Sequence, residues 1–197
     1  MQGIMMVEVL VTQTVKGIKK VTRRTGGLDE VNKDPDSYRL EKLGSSAEFI
    51  ETTSTGENFI ACNHRFKVGE IVYLKEPFCK IGNNNYRHKY LNDNPEGLYK
   101  WKNKLYMPEE AARFFIKITS VKCERLYDIT EEQAILEGIE PDGVKWKNYT
   151  KLKKGKFKAL SPIESVMSLF KFANKMAAGT MLPNYWVWVY EYELYNK

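Results

Sequence analysis

An α+β domain is what this sequence predicts, and three observations carry the prediction. Short stretches rich in branched and aromatic residues recur along the chain, separated by Gly-, Ser- and Asn-rich turns, the pattern of many short strands. Two segments in the second half open with helix-capping signatures. At 197 residues the chain fits one domain and can bury a sizeable core. Four Trp, twelve Tyr and nine Phe exclude a disordered chain on composition.

Residues 5–12, rich in Val and Leu, are expected to form the first strand. A helical turn at 13–16 follows, closed by Gly17. Residues 25–37, with their Gly, Asp, Asn and Pro, read as loop. Residues 38–43, 47–52 and 58–62 read as short strands joined by Gly-Ser-Ser and Ser-Thr-Gly turns. The run 71–75 is a strong strand, 82–98 an Asn- and Gly-rich excursion, and 114–118 with 121–126 a further strand region. Thr130 and Gln133 make a capping box, Ile129 and Ala134 a hydrophobic staple, and Gly138 stops that helix after about two turns. Ser161, Pro162 and Glu164 start a second helix, expected to run to about Ala177 on a stripe of Val166, Leu169, Phe170 and Ala173. Residues 185–194 alternate as a last strand packed on one face. Within it, one pair of Trp186/Trp188 and Val187/Val189 is expected to point to the core.

The net charge of +6 is localised. Residues 16–24 carry five basic groups and no acid, residues 145–158 seven lysines and no acid, and the remainder is acidic by six charges. Two cationic patches on an acidic body favour a polyanionic partner. In the second patch Trp146, Tyr149 and Phe157 interleave with the lysines, among them Lys151, Lys153 and Lys154. That composition suits bases stacking beside phosphates, and equally a lysine-rich loop anchored by its aromatics. No apolar run reaches the roughly 20 residues of a membrane helix. The start carries Glu8 and no basic leader, so no signal peptide is expected. Cys62, Cys79 and Cys123, odd in number and scattered, suit free thiols in a reducing cytoplasm. Cys62 and His64 lack the further ligands a zinc site needs, so neither metal nor cofactor is expected.

Within the first patch, Lys19, Lys20, Arg23 and Arg24 surround Thr22. Such cations hold phosphates, and a hydroxyl among them becomes a nucleophile if a neighbouring amine loses its proton. Glu137, in the last turn of its helix, faces exposed carbonyls that disfavour a carboxylate, which suits a general acid.

Five motifs occur in order: G-x-K-x-x-T-R-R at 17–24, G-E-I-V-Y-L-K-E-P-F at 69–78, Met107-Pro108 with Arg113, E-R-L to E-G-I at 124–139, and N-Y-W-V-W-V at 184–189. In this the chain resembles the ASCH domain group of the PUA-like superfamily, in the longer form often found in phages and prophages. The resemblance implies one domain over 1–197, a small mixed β-barrel with flanking helices, with insertions at about 25–66, 79–105 and 140–160. It implies binding of RNA or of a modified nucleoside or nucleotide in a basic cleft.

Some small bacterial members remove the acetyl group from N4-acetylcytidine. Their catalytic Lys, Thr and Glu fall on Lys19, Thr22 and Glu137. Lys20, Arg23 and Arg24 with partial burial would lower the pKa of Lys19, which would deprotonate Thr22. Arg24 or backbone N–H groups would hold the oxyanion, and Glu137 would protonate the leaving amine. Three-residue spacing puts Lys19 and Thr22 on one helix face but on opposite faces of a regular strand. Glu76 is expected to pair with Arg23 or Arg24 across the cleft mouth, and Arg113 to hold a phosphate or cap a turn. The expectation is therefore a cytoplasmic binding module first, an amidohydrolase second, and a phage accessory domain that binds another protein third.

Overall fold

The computed structural model describes residues 1–83, 85–91, 99–150, 158–177 and 179–196. In chain order the first strands are β1 (Gln2–Met5), β2 (Val21–Arg24), β3 (Tyr38–Leu43), β4 (Ala47–Thr53) and β5 (Gly56–Cys62). They are followed by β6 (Ile71–Lys75), β7 (Phe78–Gly82), β8 (Asn85–His88) and β9 (Phe115–Arg125). The short pair β10 (Pro141–Asp142) and β11 (Lys145–Trp146) and the long β12 (Trp186–Tyr195) complete the strands. The helices are α1 (Glu8–Val15), α2 (Glu131–Leu136) and α3 (Pro162–Ala173).

A five-stranded sheet in the order β1-β6-β9-β12-β2 forms the centre. β1 runs parallel to β6, and the other neighbours are antiparallel. β3-β4-β5 form a separate meander, and β7-β8 and β10-β11 are small hairpins. The chain is therefore α+β, as expected. Among the described residues its strands stay in four sheets, and the largest is not closed into a barrel. Its two edges nevertheless come near each other, because Arg24 at the end of β2 donates from Nη2 to the Met5 carbonyl of β1 at 2.9 Å.

The N-terminal strand is displaced from its expected place. It occupies Gln2–Met5, and Glu8–Val15 is helix. Leu10, Val11 and Thr14 are buried together on one side of that helix, the spacing of a 3.6-residue period and not of a strand. Burial against the sheet outweighs the low helix propensity of its Val and Thr residues. Thr12 and Thr14 satisfy their hydroxyls on the carbonyls of Glu8 and Leu10 within the helix. The two expected segments at 114–126 are one strand, β9, whose register against β12 shifts between Glu191 and Tyr192. A bulge there bends the strand without ending it.

The caps fall where the sequence put them. Thr130 Oγ1 accepts from Gln133 N, and Gln133 Oε1 accepts from Thr130 N, both at 3.3 Å. Ser161 Oγ accepts from Glu164 N at 3.2 Å. α3 stops at Ala173, short of the expected Ala177, as Asn174 leaves the helix and Lys175 takes a left-handed φ of 57°. Within the expected excursion at 82–98 lies part of the β7-β8 hairpin. Residues 84 and 92–98 are outside the described residues.

β12 is packed on both faces, not one. Trp186, Trp188, Tyr190 and Tyr192 join the main core with Ile4, Leu74, Ile118, Phe49 and Phe66. Val187 and Val189 join a second cluster with Val21, Leu126, Phe170 and Leu182. Both candidate pairs are thus buried, because α3 covers the side that the expectation left to solvent. Among the described residues no helix is long and apolar enough to cross a membrane.

Candidate functional site

The expected site strand is delivered by three local devices. Gly17, at φ 73°, ends α1, and both Ile18 N and Lys19 N donate to the Gln13 carbonyl at 3.0 Å. The chain therefore turns back before β2 begins. Lys20 N donates to the Leu136 carbonyl at 2.9 Å, which fastens this turn to the end of α2. Gly138, at φ 79°, lets the two segments touch, since a Cβ there would lie 2.7 Å from Lys19 Cβ and 3.1 Å from Gln13 Cβ.

Lys19 is fully buried and its amine is completely engaged. Nζ donates to the Val21 carbonyl at 2.5 Å, the Glu137 carbonyl at 2.9 Å and Glu137 Oε2 at 2.7 Å. Arg23 approaches the other carboxylate oxygen, donating from Nη1 to Glu137 Oε1 at 3.1 Å. It also donates from Nε and Nη2 to Glu124 Oε1 at 3.1 and 2.7 Å, and from Nη2 to Gln133 Oε1 at 2.8 Å. Gln133 thus serves the capping box and the site together. Burial draws the Lys19 pKa below the usual lysine range. The Glu137 carboxylate opposes that shift, while the Arg24 and Arg23 charges add to it. Glu137 ends α2 as expected, but its carboxylate is clamped between two cations and does not face bare helix carbonyls alone.

Thr22 and Arg24 belong to the other face of β2. Strand register places Thr22 opposite Tyr190 and Arg24 opposite Trp188, whereas Arg23 is opposite Val189. Thr22 is buried, and among the described residues its hydroxyl makes no hydrogen bond. The structure therefore joins Lys19, Arg23 and Glu137, and no hydrogen bond links Thr22 to either Lys19 or Glu137. Arg24 remains close enough to feel the Glu137 charge, and burial draws its pKa down. Arg24 Nε and Trp188 Nε1 are buried donors without a hydrogen-bond partner among the described residues. The Trp188 indole nitrogen lies beneath loop residue Gly27, and its ring meets His64 edge-on at 5.5 Å. Lys20 is exposed.

Two expected site residues sit apart from this cluster. Glu76 does not reach Arg23 or Arg24. It is fully buried and takes both arms of Arg113, from Nε to Oε1 at 2.9 Å and from Nη2 to Oε2 at 2.7 Å. Arg113 also bonds the Tyr90 carbonyl and stacks over Phe114 at 4.7 Å. Its Nε and Nη2 are occupied by these contacts, so that half of the guanidinium serves as an internal clamp on Glu76. In the second basic patch, Lys147 pairs with Glu140 and Lys158 with Asp142. Trp146 and Tyr149 pack on the main core, as anchors of a loop would. Lys151, Lys153, Lys154 and Phe157 lie outside the described residues. Cys62 faces the main core, and His64 Nδ1 meets the Phe66 carbonyl at 2.7 Å.

Sequence reasoning missed Glu124, Gln133 and Trp188 as site residues. Glu124 opens the E-R-L motif and Gln133 closes the capping box, so both carried a local signal. The unpaired indole of Trp188 carried none. Two shallow depressions, of about 300 Å3 beside Ile163 and Met167 and about 160 Å3 beside Phe115 and Leu194, lie away from the cluster. No protein-family model matches the chain, and no curated protein or solved structure matches it.

Proposed function

We propose that this chain is a nucleotide- or RNA-binding module of the ASCH, PUA-like type that works in the cytoplasm. Its ligand approaches from the Arg24 end of β2, the part of this face that meets solvent, with Thr22 and Trp188 buried behind it. Two buried N–H donors without partners among the described residues, on residues directly opposite each other in one ladder, carry the proposal. A buried donor left unpaired costs about 1–3 kcal/mol, and folded chains keep such groups where a ligand, ion or water completes them. Nucleobase carbonyls and phosphate oxygens are acceptors of the required kind. Behind the strand, the Lys19–Glu137–Arg23 cluster holds β2 and α2 in place.

A second function is favoured by one contact. The Lys19–Glu137 pair, written as ammonium and carboxylate, has a partner form in which the proton sits on Glu137. That form supplies a neutral amine and a carboxylic acid side by side, the base and the acid an amidohydrolase needs. Thr22 Oγ, on the other face of β2, would have to turn toward Lys19 to pass it a proton and attack an N4-acyl carbonyl. Glu137 would protonate the departing N4 amine, and water would release the acyl group from Thr22. In the arrangement described, all three amine donors are engaged and the ammonium form is favoured, so binding stands first.

Calorimetric titration of cytidine, N4-acetylcytidine and a short single-stranded RNA, with chromatography of the mixtures, tests both. The proposal expects saturable binding that Thr22→Val and Arg24→Gln weaken about tenfold, the scale of one charge-assisted hydrogen bond. No binding of any of the three overturns it, and release of cytidine from N4-acetylcytidine would put the hydrolase first.

A further inference from the structure

Three basic side chains from distant parts of the sequence meet along β1. Arg65 donates from Nη2 to the Gly3 carbonyl at 3.2 Å and from Nε to Gln2 Oε1 at 3.3 Å. Arg24 donates from Nη2 to the Met5 carbonyl at 2.9 Å, and the Lys104 amine donates to the next carbonyl, Met6. At about 3.3 Å of rise per residue, Gly3 to Met6 spans roughly 10 Å, so three cations crowd a short length of chain. Among the described residues β1 is an edge strand, hydrogen-bonded to β6 alone.

These cations have no carboxylate partner among the described residues. Glu137, whose charge reaches Arg24, is already shared by Lys19 and Arg23. Glu8, in the first turn of α1, is exposed and pairs with none of the three. The cluster is anchored on one side, with Arg65 exposed and Arg24 and Lys104 partly buried. Arg65 lies over Phe66 at 5.1 Å, Lys104 is half-buried with its amine 5.9 Å from the Tyr90 ring, and Arg24 Nε is buried. A guanidinium has five donors, and Arg24 spends one on protein. Met6 leads directly into α1, whose N-cap Val7 offers no side-chain cap. The positive end of the helix therefore adds to the same field.

We propose that Arg24, Arg65 and Lys104 form an anion subsite at the β1 edge that takes a phosphate group, from a mononucleotide or from an RNA backbone. It names the phosphate-bearing end of the ligand and in that respect rests on the nucleotide-binding proposal above. Like charges that repel one another in the free protein gain a common partner when a phosphate arrives, and leftover guanidinium donors match its oxygens two at a time. Arg24 belongs to both surfaces, so base and phosphate would lie on either side of one side chain.

NMR titrations of inorganic phosphate, cytidine, cytidine 5′-monophosphate and a short single-stranded RNA test the subsite. They are made on the wild type and on the Arg65→Gln/Lys104→Gln double variant. Both substituted side chains reach the surface, and circular dichroism melts verify that the variant folds. Expected are a shift of the Arg24 Nε–H signal with inorganic phosphate and a preference for the monophosphate over cytidine of about tenfold at low salt, falling as salt rises. The double variant should lose most of that preference. RNA binding tighter than monophosphate binding assigns the site to a strand, and equal binding assigns it to a mononucleotide. Phosphate binding without any cytidine binding would sink the nucleobase contact and leave the subsite standing. Equal affinity for cytidine and its monophosphate, absence of phosphate binding, or an unchanged preference in the double variant overturns the subsite.

Discussion

Glu76 and Glu137 are both buried carboxylates held by cations, yet their surroundings are finished differently. Around Glu76 both carboxylate oxygens are matched: Arg113 grips them from Nε and Nη2, and Nη2 also donates to the Tyr90 carbonyl. Around Glu137 the pairing is also good, but it is shared between Lys19 and Arg23, and the strand it supports carries unmatched groups on its far face. Among the described residues Arg24 Nε and Trp188 Nε1 are buried there without partners. A closed buried pair is architecture, since replacing such a pair with apolar side chains is often neutral. Donors left over beside a buried pair are costly for folding alone, and the proposed ligand would complete them.

The largest effect expected of this contrast is on stability at the closed centre. Arg113→Ala leaves the Glu76 carboxylate buried without a partner, and should destabilise by about 3–5 kcal/mol. Urea unfolding would measure it, and a loss below about 1 kcal/mol would mean that water reaches Glu76. Gly138→Ala tests how firmly Lys19 is seated. Its left-handed φ and the 2.7 Å approach to Lys19 Cβ predict a loss of about 1–3 kcal/mol. Arg113 contacts should be unaffected in that variant, a point that the side-chain NMR signals of Arg113 would check.

A smaller effect concerns pH. The native pKa of Lys19 is lowered from 10.5, so between that lowered value and 10.5 the unfolded chain binds more protons than the native one. Stability contributed by this group therefore rises with pH across that window, by at most about 1.4 kcal/mol per pH unit. Cys123 acts in the opposite sense. Burial pushes its thiol from 9 up to about 12, so its contribution is intact below pH 9 and is lost as pH climbs towards 12. The difference between wild type and Lys19→Met isolates the lysine. It should grow in favour of the wild type up to pH 10.5, and a flat or falling difference would show that Lys19 keeps its proton throughout.

The same contrast explains what was legible in the sequence. The helix starts at Thr130 and Ser161 can be read because a cap needs only side chains three residues apart. The ordered motifs single out Lys19, Thr22 and Glu137, whereas the structure joins Lys19 and Glu137 with Arg23 and leaves Thr22 on the other face of β2. The α1 segment misleads, because β-branched residues favour strand locally while burial of Leu10, Val11 and Thr14 on one side decides for helix. Glu76 with Arg113, and Arg24 with Arg65 and Lys104, are made by chain segments tens of residues apart. No local spacing encodes such meetings. Burial of β12 on both faces is hidden for the same reason, since α3 supplies the second cover.

The central claim is that the unmatched donors of β2 and β12 await a ligand. The most direct measurement follows the Trp188 indole Nε1–H and Arg24 Nε–H signals by NMR while cytidine 5′-monophosphate is added. Both should shift together and saturate at one affinity, with the Trp186 indole, which already donates to the Pro35 carbonyl at 3.1 Å, serving as an unmoved reference. Signals of Trp188 and Arg24 that stay fixed while the ligand binds elsewhere, or at no addition at all, would contradict it.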